Sequence, residues 1–558
     1  MKRPTKKWSM NTIKKEEKCN MEELRGRGSG TATSNTAKTL RNSIFAVVAQ
    51  IISFLLVFVN RKVFVLFLDI EYLGYQSLFS NVFTLLSVAE LGIGTAISYH
   101  LYKEIVNNNE EEIGRLMYVY KILYRIVAFV VLGIGAGCFF LTPYIIKETT
   151  LSTGHLATIY FLQLGSTFLG YFLSYKQVLL TAAQQEYKIT TVTLFVSVGI
   201  QLLQLLFLFL FRSTFQDNIV NYLIYLGLNL STGLIGNIIL SIMVDKQYPY
   251  LRLKYKITKE YLKERNFFQN FRNVVVQKIS YAIYGGTDNI VISSFLGVTY
   301  VAIYGNYVAV KTGVMNLLFY KLLNPVQATI GNIVYSDRSK EDLWQQFKTF
   351  DMFSFFFATF ISLGFLTLYQ PFIQLWMGKE YLLPMSFVIL FCISIYFGAV
   401  WEILYKYRSV FGDFKKDMWY LVAAAVLNIG ISILAVYFMG ITGIQLATII
   451  AYFSIAIGRI RFVIKYYFEK SALKYFLMHM LLFLIAAIEG AGCYFSTYWM
   501  PVNIPYFLLR IAIWLFLPTI VSVLIFFKNP YFKGMISYFK NALRVITNKF
   551  KKKKENNV

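Results

Sequence analysis

Solid runs of apolar residues, most of them about twenty long, alternate along this chain with short polar segments. Such a run forms a helix long enough to cross roughly 30 Å of membrane hydrocarbon, and it lacks the alternation of an outer-membrane strand. The pattern therefore predicts an all-α polytopic membrane protein with about 14 transmembrane helices. We number these predicted spans 1 to 14 in chain order: 43–68, 74–102, 117–141, 155–175, 189–211, 219–244, 273–296, 301–320, 349–370, 384–405, 417–438, 443–458, 475–496 and 505–527.

Composition agrees with this pattern. Of the 558 residues, 57% are hydrophobic and only 15% are charged, against roughly 45–50% and 25% in soluble domains. A cytosolic enzyme of several domains is thereby excluded. The formal net charge of +26 would suggest nucleic acid in a soluble protein, so the placement of the basic residues has to decide what that charge means.

The basic residues lie almost entirely in alternate connections between the spans. One set of connections, which includes both termini, holds 45 Lys and Arg, and the other set holds 4 when Lys62, near the end of span 1, is counted with the connection that follows it. Basic connections stay on the cytoplasmic side of a membrane. The bias predicts a multi-pass protein of the bacterial cytoplasmic (inner) membrane with both termini in the cytoplasm, and no nucleic-acid partner. Segment 1–42 lacks an apolar signal region, so we expect an uncleaved cytoplasmic tail.

A weak internal repeat relates the two halves of the chain. Residues Val48–Tyr75 align with Val275–Ile303, placing Gln50 on Gln277 and Arg61 opposite Asp288. The copies begin at spans 1 and 7, so they cross the membrane in the same direction. We therefore expect two six-helix lobes, related by a pseudo-twofold axis along the membrane normal, with a substrate site between them. The predicted segments are a tail (1–42), an N-lobe (43–244), a linker (245–272), a C-lobe (273–458), an appended helix pair (459–527) and a basic tail (528–558).

The basic tail carries apolar residues at helical spacing, including Phe532, Met535 and Ile536, followed by Lys551–Lys554. This is typical of an interfacial helix held to anionic membrane lipids. A basic tail without fixed structure is the alternative.

Ionisable residues inside the spans mark the candidate site, because such groups are costly in lipid and face protein or water. Cations could hold an anionic group such as a pyrophosphate, whereas acids could balance them or bind a coupling H⁺ or Na⁺. Tyrosine faces suit sugar rings, although core packing is their commoner role. For the charged groups, structural ion pairs are the alternative. The candidates are Arg61, Arg125, Lys278 and Lys311 as cations, Glu90, Asp288 and Glu402 as acids, and Tyr284, Tyr304 and Tyr307 as aromatic residues.

Several features argue against chemistry within the chain. The connections assigned to the outside are too short for a catalytic domain, and the nucleotide-binding pattern GxxxxGK[ST] does not occur. The four cysteines and three histidines show no metal-binding spacing. We expect a transporter that is not an enzyme and that needs no metal or organic cofactor.

Two segments resemble a known family. Glu71–Lys103 is similar to the span 1 to 2 signature of bacterial polysaccharide (Wzx-type) flippases, members of the superfamily that includes multidrug (MATE) exporters. Residues 278–310, with Thr287, Asp288 and Asn289, resemble their span 7 to 8 motif. The resemblance implies a V-shaped bundle that alternates between inward- and outward-open states through a cationic central cavity. Its implied cargo is an undecaprenyl-diphosphate-linked oligosaccharide, moved to the outer leaflet for surface polysaccharide. A polysaccharide polymerase and glycosyltransferases are then expected partners.

Three alternatives stay open at this point. They are a MATE-like multidrug exporter, a lipid II-type flippase, and a membrane-bound glycosyl polymerase or ligase. An exporter of cationic drugs is expected to have more acids than bases in its cavity. Among the ionisable residues of the spans, however, bases outnumber acids.

Overall fold

The structure is a computed structural model that describes residues 32–87, 100–102, 104–105, 107–210, 217–253, 255, 257, 271–334, 339–411, 418–538, 540 and 544. Within that part of the chain the regular structure is entirely helical. Spans 1 to 7 correspond to Ala32–Phe67, Ile70–Leu86, Glu110–Cys138, Thr153–Ser174, Glu186–Leu210, Asn218–Gln247, and the pair Phe271–Gly286 and Asp288–Leu296. Spans 8 to 14 correspond to Val298–Val314, Lys340–Trp376, Met385–Val400 with Glu402–Phe411, Met418–Met439, Ile441–Ile460, Ala472–Thr497 and Ile504–Phe526.

Eleven of these helical segments are long and apolar enough to cross a membrane. The predicted all-α, multi-pass membrane architecture is therefore confirmed, while the count of 14 stays a prediction. The other three predicted spans, 2, 7 and 8, are not single long α-helices in the described part of the chain. Span 2 continues beyond Leu86 into residues outside the described part, span 7 is broken at Thr287, and span 8 passes into a π-helix at Met315–Tyr320.

Local sequence sets the helix ends. The side chains of Asn109, Ser152, Asp217 and Ser339 each accept a hydrogen bond from a backbone N–H in the first turn of the helix that follows, which satisfies one of the donors that a helix leaves free. Spans 11 and 12 meet at Gly440, whose φ of 54° lies in the left-handed region that favours glycine.

Packing between helices repeats in the two halves of the chain. Span 1 packs on span 5, and span 7 packs on span 11. Spans 3 and 4, 4 and 6, and 5 and 6 pack on one another, as do spans 9 and 10, 10 and 12, and 11 and 12. This equivalence at a shift of six spans agrees with the parallel repeat expected from sequence. Span 2 contacts spans 7 and 8 and so joins the halves.

Buried apolar residues form two large clusters instead of one. The first draws mainly on spans 1 to 6, with Val298 and Ala302 added, and the second draws on residues from Val291 to Met535. Spans 13 and 14 pack against span 9. Each half therefore has its own core, and the boundaries given above for the lobes stay predictions.

A helix is present at residues 530–538, within the segment predicted to lie at the membrane surface, and part of its apolar face contacts protein. Phe532 and Met535 are buried, and the Phe532 ring stacks on Phe356 of span 9 at 4.9 Å between centroids. Tyr531 accepts a hydrogen bond from Lys348. Helical spacing alone could not separate a lipid surface from a protein surface as the partner of this face. The contact with anionic lipid stays a prediction.

Candidate functional site

A cavity of about 800 Å³ lies between the two halves, walled by spans 1, 2, 7 and 8. We call it the central cavity. Its charged lining residues are Arg61, Asp288 and Lys321, among which bases outnumber acids. The rest of the polar lining consists of Gln50, Ser53, Ser77, Ser80, Asn81, Asn289, Tyr304, Thr312, Asn316 and Tyr320. In a chain with so little charge, this concentration of polar groups defines the candidate site.

Arg61 is held at the wall of this cavity by the opposite half of the protein. Its Nε donates to Oδ1 of Asn306, and its Nη2 donates to the carbonyl oxygen of Ala302 at 2.9 Å. Gly305 gives the guanidinium its space, since a Cβ at that position would lie 2.8 Å from Nη2. Two anchoring bonds leave other N–H groups of the guanidinium able to bind an anion, because arginine carries five donors.

Asp288 faces the same cavity at the start of the second helix of span 7. Its Oδ2 accepts a hydrogen bond of 3.0 Å from the hydroxyl of Tyr304, whereas Oδ1 accepts none from the described residues. The break before it is stabilised by Thr287, which donates to Oδ1 of Asn428 on span 11 at 3.3 Å. Arg61 and Asp288 thus share the cavity, as their equivalent positions in the repeat predicted.

One end of the central cavity is closed by contacts between the halves. Nζ of Lys62 donates to the carbonyl oxygen of Met377 at 2.9 Å, and Nε1 of Trp376 donates to that of Phe58 at 2.9 Å. The hydroxyl of Ser294 donates to the carbonyl oxygen of Ile145 at 3.2 Å. On span 1 these contacts involve Phe58 and Lys62, which lie on either side of Arg61 in the sequence. From there the cavity extends toward Gln50 and the exposed Lys321.

Three candidates lie in a second space instead of the central cavity. Lys311, Tyr284 and Glu402 line a chamber of about 410 Å³ that is walled by spans 7, 8, 10 and 12. Because these spans all belong to the predicted C-lobe, we call this space the C-lobe chamber. The expectation that Lys311 and Tyr284 line one cavity with Arg61 is therefore wrong.

Helix geometry explains this separation. Asn306 and Lys311 are five residues apart on span 8, which places them about 140° apart around a helix of 3.6 residues per turn. Span 8 thus presents Asn306 toward Arg61 and Lys311 toward span 10, where its Nζ lies 5.1 Å from the centroid of Phe391.

The remaining candidates lie elsewhere or outside the described part. Arg125 is exposed on span 3 over the ring of Phe172, and it lines neither space. Tyr307 is fully buried, and its hydroxyl donates to Gln370 at 2.8 Å, which makes it a packing residue. Glu90 and the side chain of Lys278 lie outside the described residues. Their proposed roles stay predictions.

Sequence analysis missed much of the neutral lining and some charges. Thr312, Asn316 and Tyr320 repeat every four residues and line both spaces, so their helical spacing was an available signal. Arg459 lines the C-lobe chamber, but it follows the predicted end of span 12 and was counted with a basic connection. Its burial became visible only in the structure.

We compared the chain and its fold with known proteins. No protein-family model matches the chain, and no curated protein matches it. Among solved structures, the lipid II flippase MurJ in an inward closed conformation is similar to it, with a TM-score of 0.64 and 17% identity over 87% of this chain and 99% of that chain. An inward-facing multidrug (MATE) transporter of the MOP superfamily gives 0.55 and 14% identity over 73% and 94%. A MATE transporter of Vibrio cholerae gives 0.52 and 14% over 78% and 99%.

These likenesses extend over most of this chain and nearly all of each solved chain. At such low identity they define the fold and leave the substrate open. The protein therefore has the fold of the MOP-type transporters, a class that includes a flippase and multidrug exporters.

Proposed function

We propose that this protein is a flippase for undecaprenyl-diphosphate-linked oligosaccharides in the bacterial cytoplasmic membrane. It moves the polar headgroup from the inner to the outer leaflet for the synthesis of a surface polysaccharide. The observation that carries the proposal is the central cavity with Arg61 on its wall. Within an otherwise apolar bundle, this cavity presents a guanidinium, a lysine and many neutral polar groups. These groups can bind a headgroup that has left water.

The cavity chemistry suits a diphosphate. A guanidinium binds phosphate oxygens through charge-assisted hydrogen bonds, which are shorter and stronger than neutral ones. Asn306 and Ala302 fix the orientation of Arg61 before a substrate arrives, so less freedom is lost on binding. The lipid tail would remain in the hydrocarbon during the transfer, so only the headgroup needs the polar path.

Alternating access supplies the mechanism. Under the topology predicted from the basic connections, the contacts of Lys62 and Trp376 lie at the outer side. The structure is then an inward-facing form whose cavity is loaded from the cytoplasm. Breaking these contacts and separating the halves at the outer side would release the headgroup there. Asp288 is the candidate for coupling this motion to H⁺ or Na⁺, because one carboxylate oxygen is left for a cation.

Deletion of the gene tests the proposal. We expect cells that lack one surface polysaccharide and accumulate its lipid-linked precursor, with the precursor headgroup facing the cytoplasm. A normal amount of surface polymer in the deletion strain would overturn it. Purified protein should leave the lipid-linked donor chemically unchanged, since we propose a transporter and not a polymerase or ligase.

Two other functions stay open because of the fold. A lipid II-type flippase is favoured by the similarity to MurJ, and a multidrug exporter by the similarity to MATE transporters. Accumulation of lipid II with cell lysis on depletion would identify the first. Increased drug susceptibility with normal surface polymer would identify the second.

A further inference from the structure

The C-lobe chamber is a second polar space, separate from the one that holds Arg61. Its lining is unusually aromatic, with Tyr281, Tyr284, Tyr320, Tyr405, Tyr452 and Trp401. Its volume of about 410 Å³ falls in the range of roughly 300–1,000 Å³ that is usual for small-molecule sites.

The charges of this chamber favour an anion. Its lining includes two bases, Lys311 and Arg459, and one acid, Glu402. That acid already forms a salt bridge with Lys406, with 3.4 Å between Nζ and Oε1. Lys311 forms no salt bridge with any residue that the structure describes; its ammonium lies over the ring of Phe391, and the carboxylate of Asp288 in the central cavity is near enough to attract it. The ammonium of Lys311 is therefore open to a negatively charged ligand, in competition with Asp288.

Arg459 and the tyrosines add rigid surfaces for a ring. The guanidinium of Arg459 donates to the hydroxyl of Tyr281 and lies 5.0 Å from the centroid of Tyr405. The rings of Tyr284 and Tyr452 meet edge to face at 5.4 Å. Aromatic side chains with hydroxyl groups offer both an apolar face and hydrogen bonds, which is what the two faces and the rim of a sugar ring require.

One face of span 8 lines both spaces. Thr312, Asn316 and Tyr320 line both the chamber and the central cavity, and all three are exposed. They lie where span 8 passes into its π-helical turn, a feature that is frequent at functional sites. A headgroup held at Arg61 by its diphosphate could therefore extend a sugar past this face.

From these observations we infer that the C-lobe chamber is a subsite for an acidic sugar, a pyranose ring with a carboxylate or a similar anionic substituent. Lys311 binds the anionic substituent, and the tyrosines contact the ring. This inference rests on the proposed function, because it assigns the sugar and the diphosphate of one substrate to two separate spaces.

Binding measurements on the full-length protein in lipid nanodiscs test this inference. The probes are undecaprenyl diphosphate, the same lipid with a disaccharide that contains a hexuronic acid, and the same lipid with the matching neutral disaccharide. Lys311→Gln should weaken binding of the acidic form about 10-fold or more, since a hydrogen bond to a charged group contributes about 1.5–3 kcal/mol. It should leave binding of the other two probes unchanged.

Two further variants and a control keep the test informative if Lys311→Gln is poorly folded. Tyr452→Leu, at a residue that lines the chamber and not the central cavity, should weaken both disaccharide forms and spare the bare diphosphate. Arg61→Gln should weaken all three probes. Arg125→Gln, which removes an exposed cation that lines neither space, should change none of them.

The outcomes separate the two proposals. If the wild-type protein binds none of the three probes, the proposed function fails. If it binds all three but Lys311→Gln lowers their affinities equally or leaves them all unchanged, only the assignment of the chamber fails.

Discussion

The guanidinium of Arg61 on span 1 donates a hydrogen bond to Oδ1 of Asn306 on span 8, linking residues 245 positions apart. This bond crosses from one half of the protein to the other at the wall of the central cavity. A second bond, to the carbonyl oxygen of Ala302, fixes the same side chain. The residue proposed to bind substrate is therefore also part of the contact between the halves.

Removal of the Arg61 charge should lower transport strongly. Arg61→Gln should reduce flipping of a lipid-linked diphosphate about 10- to 100-fold, because charge-assisted hydrogen bonds of about 1.5–3 kcal/mol are lost. Arg61→Lys should retain part of the activity, since it keeps the charge but not the forked geometry. Surface polysaccharide and protein level are measured together in a complemented deletion strain.

Arg125→Gln is the matched control, because it removes one exposed span cation that lines neither space. It should support normal amounts of polymer. Normal polymer in Arg61→Gln, at a normal protein level, would contradict the cationic-cavity mechanism.

A change at Gly305 should disturb Arg61 without altering any charge. In Gly305→Ala the new methyl group would lie 2.8 Å from Nη2, so the guanidinium has to shift away from Asn306 and Ala302. Transport should fall, by less than in Arg61→Gln. Gly285→Ala is the control, because Gly285 lines the same cavity and nothing lies within 4 Å of its added methyl group. Equal activity in the two variants would contradict the positioning role of Gly305.

Parts of this site could be predicted from the sequence because ionisable residues are conspicuous in apolar runs. Arg61 and Asp288 were identified that way, and both line the central cavity, as the repeat led us to expect. The assignment of Lys311 to the same space was wrong, since the rotation of span 8 places it on the far side from Asn306. Neutral residues such as Ser80 were missed, because hydroxyl groups in a span are common and carry little signal alone.

The fold, like the site, could be predicted from the sequence only where a local pattern carries the information. Length and hydropathy of the runs predicted helices, and the shift of six spans predicted the repeated packing. The break at Thr287 and the docking of Phe532 on Phe356 depend on contacts between distant segments. No local pattern contains that information.

Asp351 should stabilise the attachment of the appended helix pair. This buried carboxylate on span 9 accepts a hydrogen bond from the hydroxyl of Tyr475 at 2.7 Å and lies 3.1 Å from Nε2 of His479, both on span 13. Asp351→Ala would leave those buried polar groups without this partner, at about 1–3 kcal/mol for each group. We expect a clearly lower melting temperature in detergent.

Ser354→Ala provides the comparison on the same helix. Ser354 is also buried, but its hydroxyl has no hydrogen-bond partner in the described part of the chain, so its removal should cost little. Melting temperatures that fall equally in the two variants would contradict a specific role of the Asp351 contacts.

The direction in which the central cavity opens can be tested with single cysteines. In a background where Cys19, Cys138, Cys392 and Cys493 are replaced, Asn81→Cys places a thiol in the lining of the cavity. If the inward-facing form predominates at rest, a membrane-impermeant maleimide should modify this thiol quickly in inside-out vesicles and slowly in intact cells. Glu148→Cys, in the connection between spans 3 and 4, should show the reverse preference, because that connection is predicted to lie outside. Fast modification of Asn81→Cys in intact cells, with Glu148→Cys behaving as expected, would mean that the resting protein is open to the outside and that the contacts of Lys62 and Trp376 do not close it.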